Sequence, residues 1–502
     1  MKLFRAWPGW RLAAAAFGLG AVMALGQAPL GFWWLTLPAL SVGFLLIARA
    51  ASAGQAAWLG LFLGGGYFML ALSWIVEPFL VEPETYGWMI PFVLLLLPFG
   101  LGLFWAAAAG SAHRVGGNPA RRVLAAAVLF CGVELARSYV LTGFPWALIG
   151  HVWVDTPVAQ LAAVAGPIGL TFLTTVVAAL PVTFRWPGLA GSAVLIALAF
   201  GYGAMQPAAP SPAPDAPVIR LVQPNAEQHL KWQPDRAKLY FSRLLELSAA
   251  APAADQPRPD LVVWPETSVP YLLRGDDRLV AAIAASGQGA QLAIGIQRVD
   301  GNRGYNTMAI VSPDGRISQS YDKHHLVPFG EYIPFGNLAY NLFGISAFAS
   351  QQGAGYSAGA GAAVLDLGAP LGHVLPLICY EAVFPQDLRA APTRATWILQ
   401  ITNDAWFGNL TGPWQHLAQA RLRAIEQGLP FLRAANTGVS AVIDARGKIV
   451  TQLGLGVSGF LDARLPPSLP PTIYARTGDW SMFLLLLGLC AALVLRRKRP
   501  KA

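Results

Sequence analysis

Long apolar runs dominate the amino-terminal part of the chain and return close to its carboxyl end. A helix needs roughly 20 mostly apolar residues to cross about 30 Å of hydrocarbon. Eight runs approach or exceed that length, and they cover residues 11–27, 31–48, 56–76, 88–110, 122–141, 158–183, 188–205 and 480–495. The pattern predicts a seven-span transmembrane domain over residues 1–206, and a final transmembrane helix with a basic tail over 478–502.

Between the seventh and eighth runs the pattern changes to that of a separately folded domain. Residues 207–217 are rich in Pro and Ala and are typical of a linker. Over 218–470, short β-rich runs alternate with polar helical stretches, which indicates an α/β domain with layered sheets and outer helices. The predicted strands are 218–222, 261–264, 292–296, 307–311, 374–379, 396–401 and 439–443, and the predicted helices are 236–249, 278–285 and 415–427.

Composition agrees with a bilayer location. The chain has 502 residues, of which 55% are hydrophobic and 12% charged, and its mean hydropathy is +0.48. A soluble protein of this length is less apolar. The first run follows Lys2, Arg5 and Arg11 and could instead be a cleaved signal peptide, but further spans follow at once, which favours a retained helix.

Basic residues set the expected orientation, because Lys and Arg close to span ends stay on the cytoplasmic side. Arg49, Arg185 and the arginines at 114, 121 and 122 fall in alternate loops, whereas the loop with glutamates at 77, 82 and 84 has no Lys or Arg. Both termini are therefore predicted in the cytoplasm, and residues 207–477 outside it. Arg137 is the one discordant basic residue.

Several chemistries are disfavoured by the sequence. The net charge of +9 forms no basic stripe with interleaved aromatics, so we expect no nucleic-acid partner. The seven histidines are scattered without metal-ligand spacing, so we expect no metal and no cofactor. Cys131 and Cys490 lie within apolar spans, which leaves Cys379 as the one external cysteine, without a disulfide partner in its domain.

Three reactive side chains stand where predicted strands end. Glu266 follows Leu261–Trp264 and Pro265, Cys379 follows His373–Ile378, and Lys323 follows Tyr321-Asp322. Each has an ordinary alternative: a turn-capping carboxylate, a buried inert thiol and a solvated lysine. A thiol needs a base to become a nucleophile, and a buried ammonium can stabilise an oxyanion. By itself, none of the three side chains distinguishes the reactive interpretation from the ordinary one.

The order Glu, Lys, Cys, in the contexts Trp-Pro-Glu, Asp-Lys-His-His and Cys-Tyr-Glu, resembles the nitrilase superfamily. The insertion of such a domain between seven spans and one resembles its membrane-bound branch, the apolipoprotein N-acyltransferase family. This resemblance implies an α-β-β-α sandwich. It implies a catalytic triad of Glu266 as general base, Lys323 beside the oxyanion and Cys379 as nucleophile. It also implies supporting or substrate-binding roles for Glu331, Tyr380, Glu381 and Trp232.

The resemblance further implies transfer of a fatty acyl chain from a phospholipid to the amino terminus of a diacylglyceryl-cysteine apolipoprotein, through a Cys379 thioester. The domain would then lie in the periplasm, anchored in a bacterial inner membrane. Two other functions stay open: an anchored amidase or nitrilase for small soluble amides, and an inactive binding domain on a transporter. The scarcity of ionisable residues in the spans, with Glu134 an exception, disfavours a transporter.

Three other segments have weaker interpretations. Residues 335–348 are unusually apolar, and either belong to the core or form a mobile lipid-facing lid. Gly143–Trp146 fits an aromatic belt at the outer end of the fifth span. Asn403–Phe407 follows a strand near the expected site, and His324 and His325 need no catalytic role.

Overall fold

The computed structural model describes residues 9–252, 256–273, 277–333 and 355–497, and it divides the chain into two compact units. The first unit comprises residues 1–207, 410–418 and 471–502, and the second comprises 208–409 and 419–470. The possible lid at 335–348 lies outside the described residues.

The first unit is helical throughout, and each of the eight apolar runs contains a helix. The long helices are α1 (Gly9–Ala24), α2 (Trp33–Arg49), α3 (Ala53–Ala71), α5 (Ile90–Gly116), α6 (Pro119–Arg137), α7 (Ala162–Phe184), α8 (Trp186–Ala204) and the last, α14 (Trp480–Arg497); α4 (Pro83–Tyr86) and α13 (Ile473–Thr477) are short. Helices α1 and α3 meet backbone to backbone, since a Cβ on Gly66 would lie 1.9 Å from the Phe17 carbonyl oxygen. Small residues allow such close packing in membrane helices.

Three of these helical segments are long and apolar enough to cross a membrane by themselves. They are residues 83–116, 157–184 and 186–204, and α3 with the bent helical turn Ser73–Leu80 makes a fourth if the pair is one span. Helices α1, α2 and α14 are apolar but shorter. A multi-pass helical membrane domain is confirmed, while the number of eight spans stays a prediction.

Arg137, the discordant basic residue of the topology argument, has a structural explanation within the first unit. Its guanidinium forms a buried ion pair with Glu134 one turn earlier, at 2.7 Å, and donates to the carbonyl of Trp146 at 2.9 Å. Trp105 donates to the same carboxylate at 2.9 Å. Arg137 therefore compensates a buried charge, as intramembrane ionisable groups generally require, and is not a loop anchor.

The second unit is built on two mixed sheets. The first sheet has the order β13-β1-β2-β4-β5-β6, with β3 beside β4, and the second has the order β12-β11-β10-β9-β8-β7. The strands are β1 (Val218–Gln223), β2 (Leu261–Val263), β3 (Leu272–Leu273), β4 (Gln291–Asp300), β5 (Arg303–Val311), β6 (Ile317–Asp322), β7 (Leu365–Asp366), β8 (His373–Ile378), β9 (Trp397–Thr402), β10 (Phe431–Ala435), β11 (Ser440–Ile443), β12 (Ile449–Leu453) and β13 (Gly459–Arg464).

The central strands are fully buried, as both faces of the sheets are covered. Strand β1 contacts β10 and strand β5 contacts β8, so the sheets pack face to face. Helices α9 (Pro234–Ala249) and α10 (Asp277–Ser286) cover the outer face of the first sheet around an apolar cluster that includes Trp264 and Leu244. The structure also describes helices α11 (Pro385–Arg389) and α12 (Gly412–Gln427). The predicted α/β class with two layered sheets is confirmed.

The parallel strands place the reactive side chains. Strand β2 runs parallel to β1 and β4, and β8 runs parallel to β9. Glu266 follows the end of β2, Cys379 the end of β8 and Asn403 the end of β9. Carboxyl ends of parallel strands are where α/β folds commonly assemble their sites.

Candidate active site

Cys379 occupies a strained position at the tip of a buried strand. Strand β8 ends at Ile378, and Cys379 begins a short 3₁₀ turn that runs to Val383. The φ of Cys379 is +52°. Such a φ is costly for a residue with a side chain, and it often marks a functional position. The Cys379 carbonyl accepts from the Gln400 amide at 2.9 Å. The predicted strand 374–379 is therefore shifted by one residue, since strand β8 covers His373–Ile378 and Cys379 belongs to the turn that follows.

The Cys379 thiol is nearly buried, with 5% of the residue exposed. Burial raises its pKa above the ordinary value, and Glu266 and Asp404 act in the same direction, while Lys323 and a hydrogen bond with Thr402 act against them. The resting group is therefore a protonated thiol. Such a thiol would need a base before it could act as a nucleophile.

Glu266 is held by donors on both of its carboxylate oxygens. Its Oε1 accepts from the Asn306 amide at 2.7 Å and from Lys323 Nζ at 3.4 Å. Its Oε2 accepts from the backbone N–H of Asn403 at 2.9 Å. With 5% of the residue exposed, this carboxylate is fixed in place and largely withdrawn from water. Oε2 has the fewer donors, so it is the oxygen available to take a proton.

Lys323 joins the two glutamates. Its Nζ lies 2.9 Å from Glu331 Oε1 and 3.4 Å from Glu266 Oε1, and 1% of the residue is exposed. Asn306 makes a second, neutral bridge, since its amide also reaches Glu331 Oε1 at 3.2 Å. Burial lowers the pKa of Lys323, but Glu331, Glu266 and Cys379 outweigh it, so the net shift is upward and the group is a permanent cation.

Glu331 completes this cluster and closes the loop that precedes it. Its Oε2 accepts from the Val327 backbone N–H at 2.9 Å. Burial raises the pKa of Glu331, Lys323 opposes that shift, and Glu266 adds to it. Two carboxylates share one ammonium here, so the cluster tolerates one negative charge more readily than two.

Glu381 organises the turn behind the nucleophile. Its Oε2 accepts from the Ile378 backbone N–H at 2.7 Å, and its Oε1 accepts from the Tyr321 hydroxyl and the His324 backbone N–H, both at 2.8 Å. Burial acts to raise the pKa of Glu381, but the hydrogen bond and charge of His324 outweigh it, so the pKa is lowered. Glu381 is a positioning anion, and it connects strand β6 to the Cys379 turn.

Tyr380 and Trp232 occupy different sides of the site. The Tyr380 ring is buried and packs edge-to-face on Phe384 at 4.8 Å. Trp232 lies on the Glu266 side, where its half-buried indole faces Lys231 Nζ at 5.2 Å. Lys231 in turn donates to the Glu266 carbonyl at 3.4 Å.

The structure thus brings together the predicted Glu266, Lys323 and Cys379, and adds residues that the sequence did not single out. The most informative of these is Asn306, which bridges both glutamates from the middle of strand β5. Asparagine is uncommon inside strands, and Asn306 directly precedes the predicted strand 307–311, which was the signal the sequence offered. Lys231 and Thr402 carried no comparable signal. Across the described residues, no group of three or more His, Cys, Asp or Glu is placed to hold a metal ion.

Two mixed sheets that carry a buried cysteine, a glutamate and a lysine define a carbon–nitrogen hydrolase domain, and the profile of the carbon–nitrogen hydrolase family matches residues 219–470. The profile of the apolipoprotein N-acyltransferase N-terminal domain matches residues 19–180. The chain belongs to the apolipoprotein N-acyltransferase family. It is a membrane-bound bacterial enzyme that N-acylates lipoproteins.

Curated relatives carry that family name over nearly the whole chain. The chain is 38% identical to "Apolipoprotein N-acyltransferase" from Rhodopseudomonas palustris, over 99% of this chain and 96% of that protein. It is also 38% identical to the protein of the same name from Brucella melitensis, over 97% and 96%. A solved CN-hydrolase superfamily protein from Xanthomonas campestris is 20% identical over 54% of this chain and 97% of its own, with a TM-score of 0.34.

Proposed function

We propose that the acyl group travels through a thioester on Cys379, with Glu266 as general base and Lys323 as the charge beside the oxyanion. The observation that carries this proposal is the buried arrangement in which Lys323 Nζ lies 3.4 Å from Glu266 Oε1 and the charges of both side chains act on the Cys379 thiol. An Asn403 N–H and an Asn306 amide hold the glutamate still. Preorganised groups of this kind lower a barrier because they need not reorient during reaction.

In the first half-reaction, Cys379 Sγ attacks an ester carbonyl of a phospholipid. The thiol proton passes to Glu266 Oε2, the carbonyl oxygen becomes an oxyanion beside the Lys323 ammonium, and the carbon–oxygen bond then breaks. Glu266 returns the proton to the departing oxygen. The products are an acyl thioester and a lysophospholipid.

In the second half-reaction, the neutral α-amino group of a diacylglyceryl-cysteine apolipoprotein attacks the thioester carbonyl. The carbon–sulfur bond breaks, an amide forms, and Glu266 takes the proton released by the amine and passes it to the sulfur. Because the same carboxylate serves both halves, the two substrates use the site in turn. A ping-pong order follows, with a stable acyl-enzyme when no acceptor is present.

Glu331, Glu381 and Tyr380 support this chemistry as positioning residues. Glu331 holds Lys323 and Glu381 holds the Cys379 turn, by the contacts described above. Trp232 lies at the substrate side of Glu266. A domain attached to membrane spans suits two amphiphilic substrates that rarely leave a bilayer.

Incubation of the full-length protein in detergent with a phospholipid alone tests the proposal. We expect the intact mass to rise by one fatty acyl chain, the increment to follow the chain length of the donor, and the modification to map to the Cys379 peptide. Neutral hydroxylamine should remove it, because thioesters are cleaved by that nucleophile. An unmodified thiol together with turnover of small soluble amides would favour the anchored-amidase function instead.

We also propose that residues 218–470 lie in the periplasm and both termini in the cytoplasm. Support comes from the basic residues Arg49, Arg185 and Arg121 in alternate loops. With Cys131, Cys379 and Cys490 replaced by alanine, a D314C variant should react with a membrane-impermeant maleimide in cells with a permeable outer membrane. An R121C variant should react only after the inner membrane is opened, and the reverse result would invert the topology.

A further inference from the structure

A small pocket lies beside the turn that follows Glu266, and no chemical step of the mechanism above uses it. Its lining includes Lys231, Trp232, Ser268 and Asn436. Its empty volume is about 280 Å³, which includes open solvent, and it has room for about one water-sized group. A single oxygen atom of a ligand therefore fits it.

Lys231 is a buried cation with few partners. Only 5% of the residue is exposed, and in the described part of the chain its Nζ has one hydrogen bond, to the Glu266 carbonyl at 3.4 Å, and no carboxylate within ion-pair distance. An ammonium has three donors. Burial lowers the pKa of Lys231 to about 8, and Glu266 opposes that shift. A buried charge without a counterion is costly, so its retention points to an anion that arrives with a ligand.

The two substrates differ in the one group that such a cation would recognise. Both are diacylglyceryl amphiphiles, but a phospholipid carries a phosphodiester anion on the glycerol carbon next to its esters, whereas a diacylglyceryl-cysteine carries a thioether there. The neighbour of Lys231 is the carbonyl of the catalytic base itself. A phosphate oxygen at Lys231 would therefore lie close to the backbone of the residue proposed to act as base on the same lipid.

We propose that the pocket of Lys231, Trp232 and Ser268 binds the phosphate of the donor lipid, and that Lys231 thereby distinguishes the acyl donor from the acyl acceptor. This inference rests on the proposed use of a phospholipid donor. Lys231 recognises the anion directly, and the half-buried Trp232 indole forms the apolar wall against which the glycerol lies. After the lysophospholipid leaves, the pocket has no anion to hold, and the acceptor enters without competition for it.

The test compares two donors with identical acyl chains, phosphatidylglycerol and the uncharged diacylglycerol, by single-turnover acylation of Cys379 in the full-length protein. The preference for the charged donor is kcat/KM for the phospholipid divided by kcat/KM for the diacylglycerol. We expect Lys231→Met to lower this ratio by about tenfold or more, mainly by raising the KM for the phospholipid. Lys231→Arg should restore much of the ratio, since it keeps the charge. Lys238→Met, at an exposed lysine on helix α9, is the matched control and should leave the ratio at the wild-type value.

A second measurement uses competition by a soluble phosphate. Glycerol 3-phosphate should slow acylation of the wild-type protein by phosphatidylglycerol, while glycerol at the same concentration should not, and Lys231→Met should lose this inhibition. If Lys231→Met lowered the acylation rate equally with both donors, and glycerol 3-phosphate did not inhibit the wild-type protein, Lys231 would only hold the Glu266 backbone in place. A wild-type protein acylated by diacylglycerol but never by phospholipid would overturn the proposed donor as well as this inference.

Discussion

Replacing Cys379 with alanine is expected to abolish lipoprotein N-acylation, by roughly 10⁴-fold or more. Both half-reactions pass through the same sulfur atom, so no residual route exists through the site. The loss should appear as an unchanged intact mass after incubation with phospholipid and as unmodified amino termini on an apolipoprotein peptide. Cys379→Ser should behave similarly, because a serine hydroxyl holds its proton far more tightly than a thiol does and Glu266 is a weak base for it.

The other two cysteines provide the matched controls for this experiment. Cys131 is buried in helix α6, where its thiol donates to the Ile168 carbonyl at 3.5 Å, and Cys490 lies in helix α14. Neither belongs to the second unit. Cys131→Ala and Cys490→Ala should therefore retain acyl-enzyme formation, and a Cys379→Ala protein that still acylated lipoproteins would end the thioester proposal.

Replacing Lys323 with methionine is expected to slow acyl-enzyme formation by about 10³-fold. The substitution removes the cation that lies 2.9 Å from Glu331 and 3.4 Å from Glu266. Two buried carboxylates without a cation favour uptake of a proton. If Glu266 takes that proton, the base is lost, and in either case the oxyanion loses its nearest positive charge. Time-resolved intact-mass measurement of Cys379 acylation gives the rate directly.

A double variant separates the two contributions of Lys323. Lys323→Met combined with Glu331→Gln returns the cluster to a single carboxylate, so the charge balance no longer forces a proton onto Glu266. We expect this protein to be more stable than the single variant, but still slow, since the oxyanion still lacks its ammonium. Wild-type acylation rates in the double variant would mean that Lys323 serves only to balance charge.

The hydrophobic pattern was sufficient to predict the architecture, because the apolar run of a membrane helix and that of a buried strand differ in length and period. An apolar run as long as 188–205 predicts a membrane helix or a buried helix, whereas 218–222 is too short for either and predicts a strand. Strands β6 and β12 escaped prediction, since at the edges of their sheets they alternate exposed and mostly half-buried residues and contain several polar side chains. Strand β10 escaped because Arg433 interrupts its apolar run, and the fold satisfies that guanidinium with Asp404 and the Val439 carbonyl.

The sequence by itself determined the membrane domain, the α/β domain and the identity of Glu266, Lys323 and Cys379 as reactive candidates, since apolar periodicity and local residue context are properties of short segments. Only the tertiary structure decided how these side chains meet. The bridge of Asn306 between Glu266 and Glu331, and the unpaired charge of Lys231 behind the base, join residues 25 to 40 positions apart. Such contacts depend on which strand ends lie side by side, and that is fixed by the packing of two sheets.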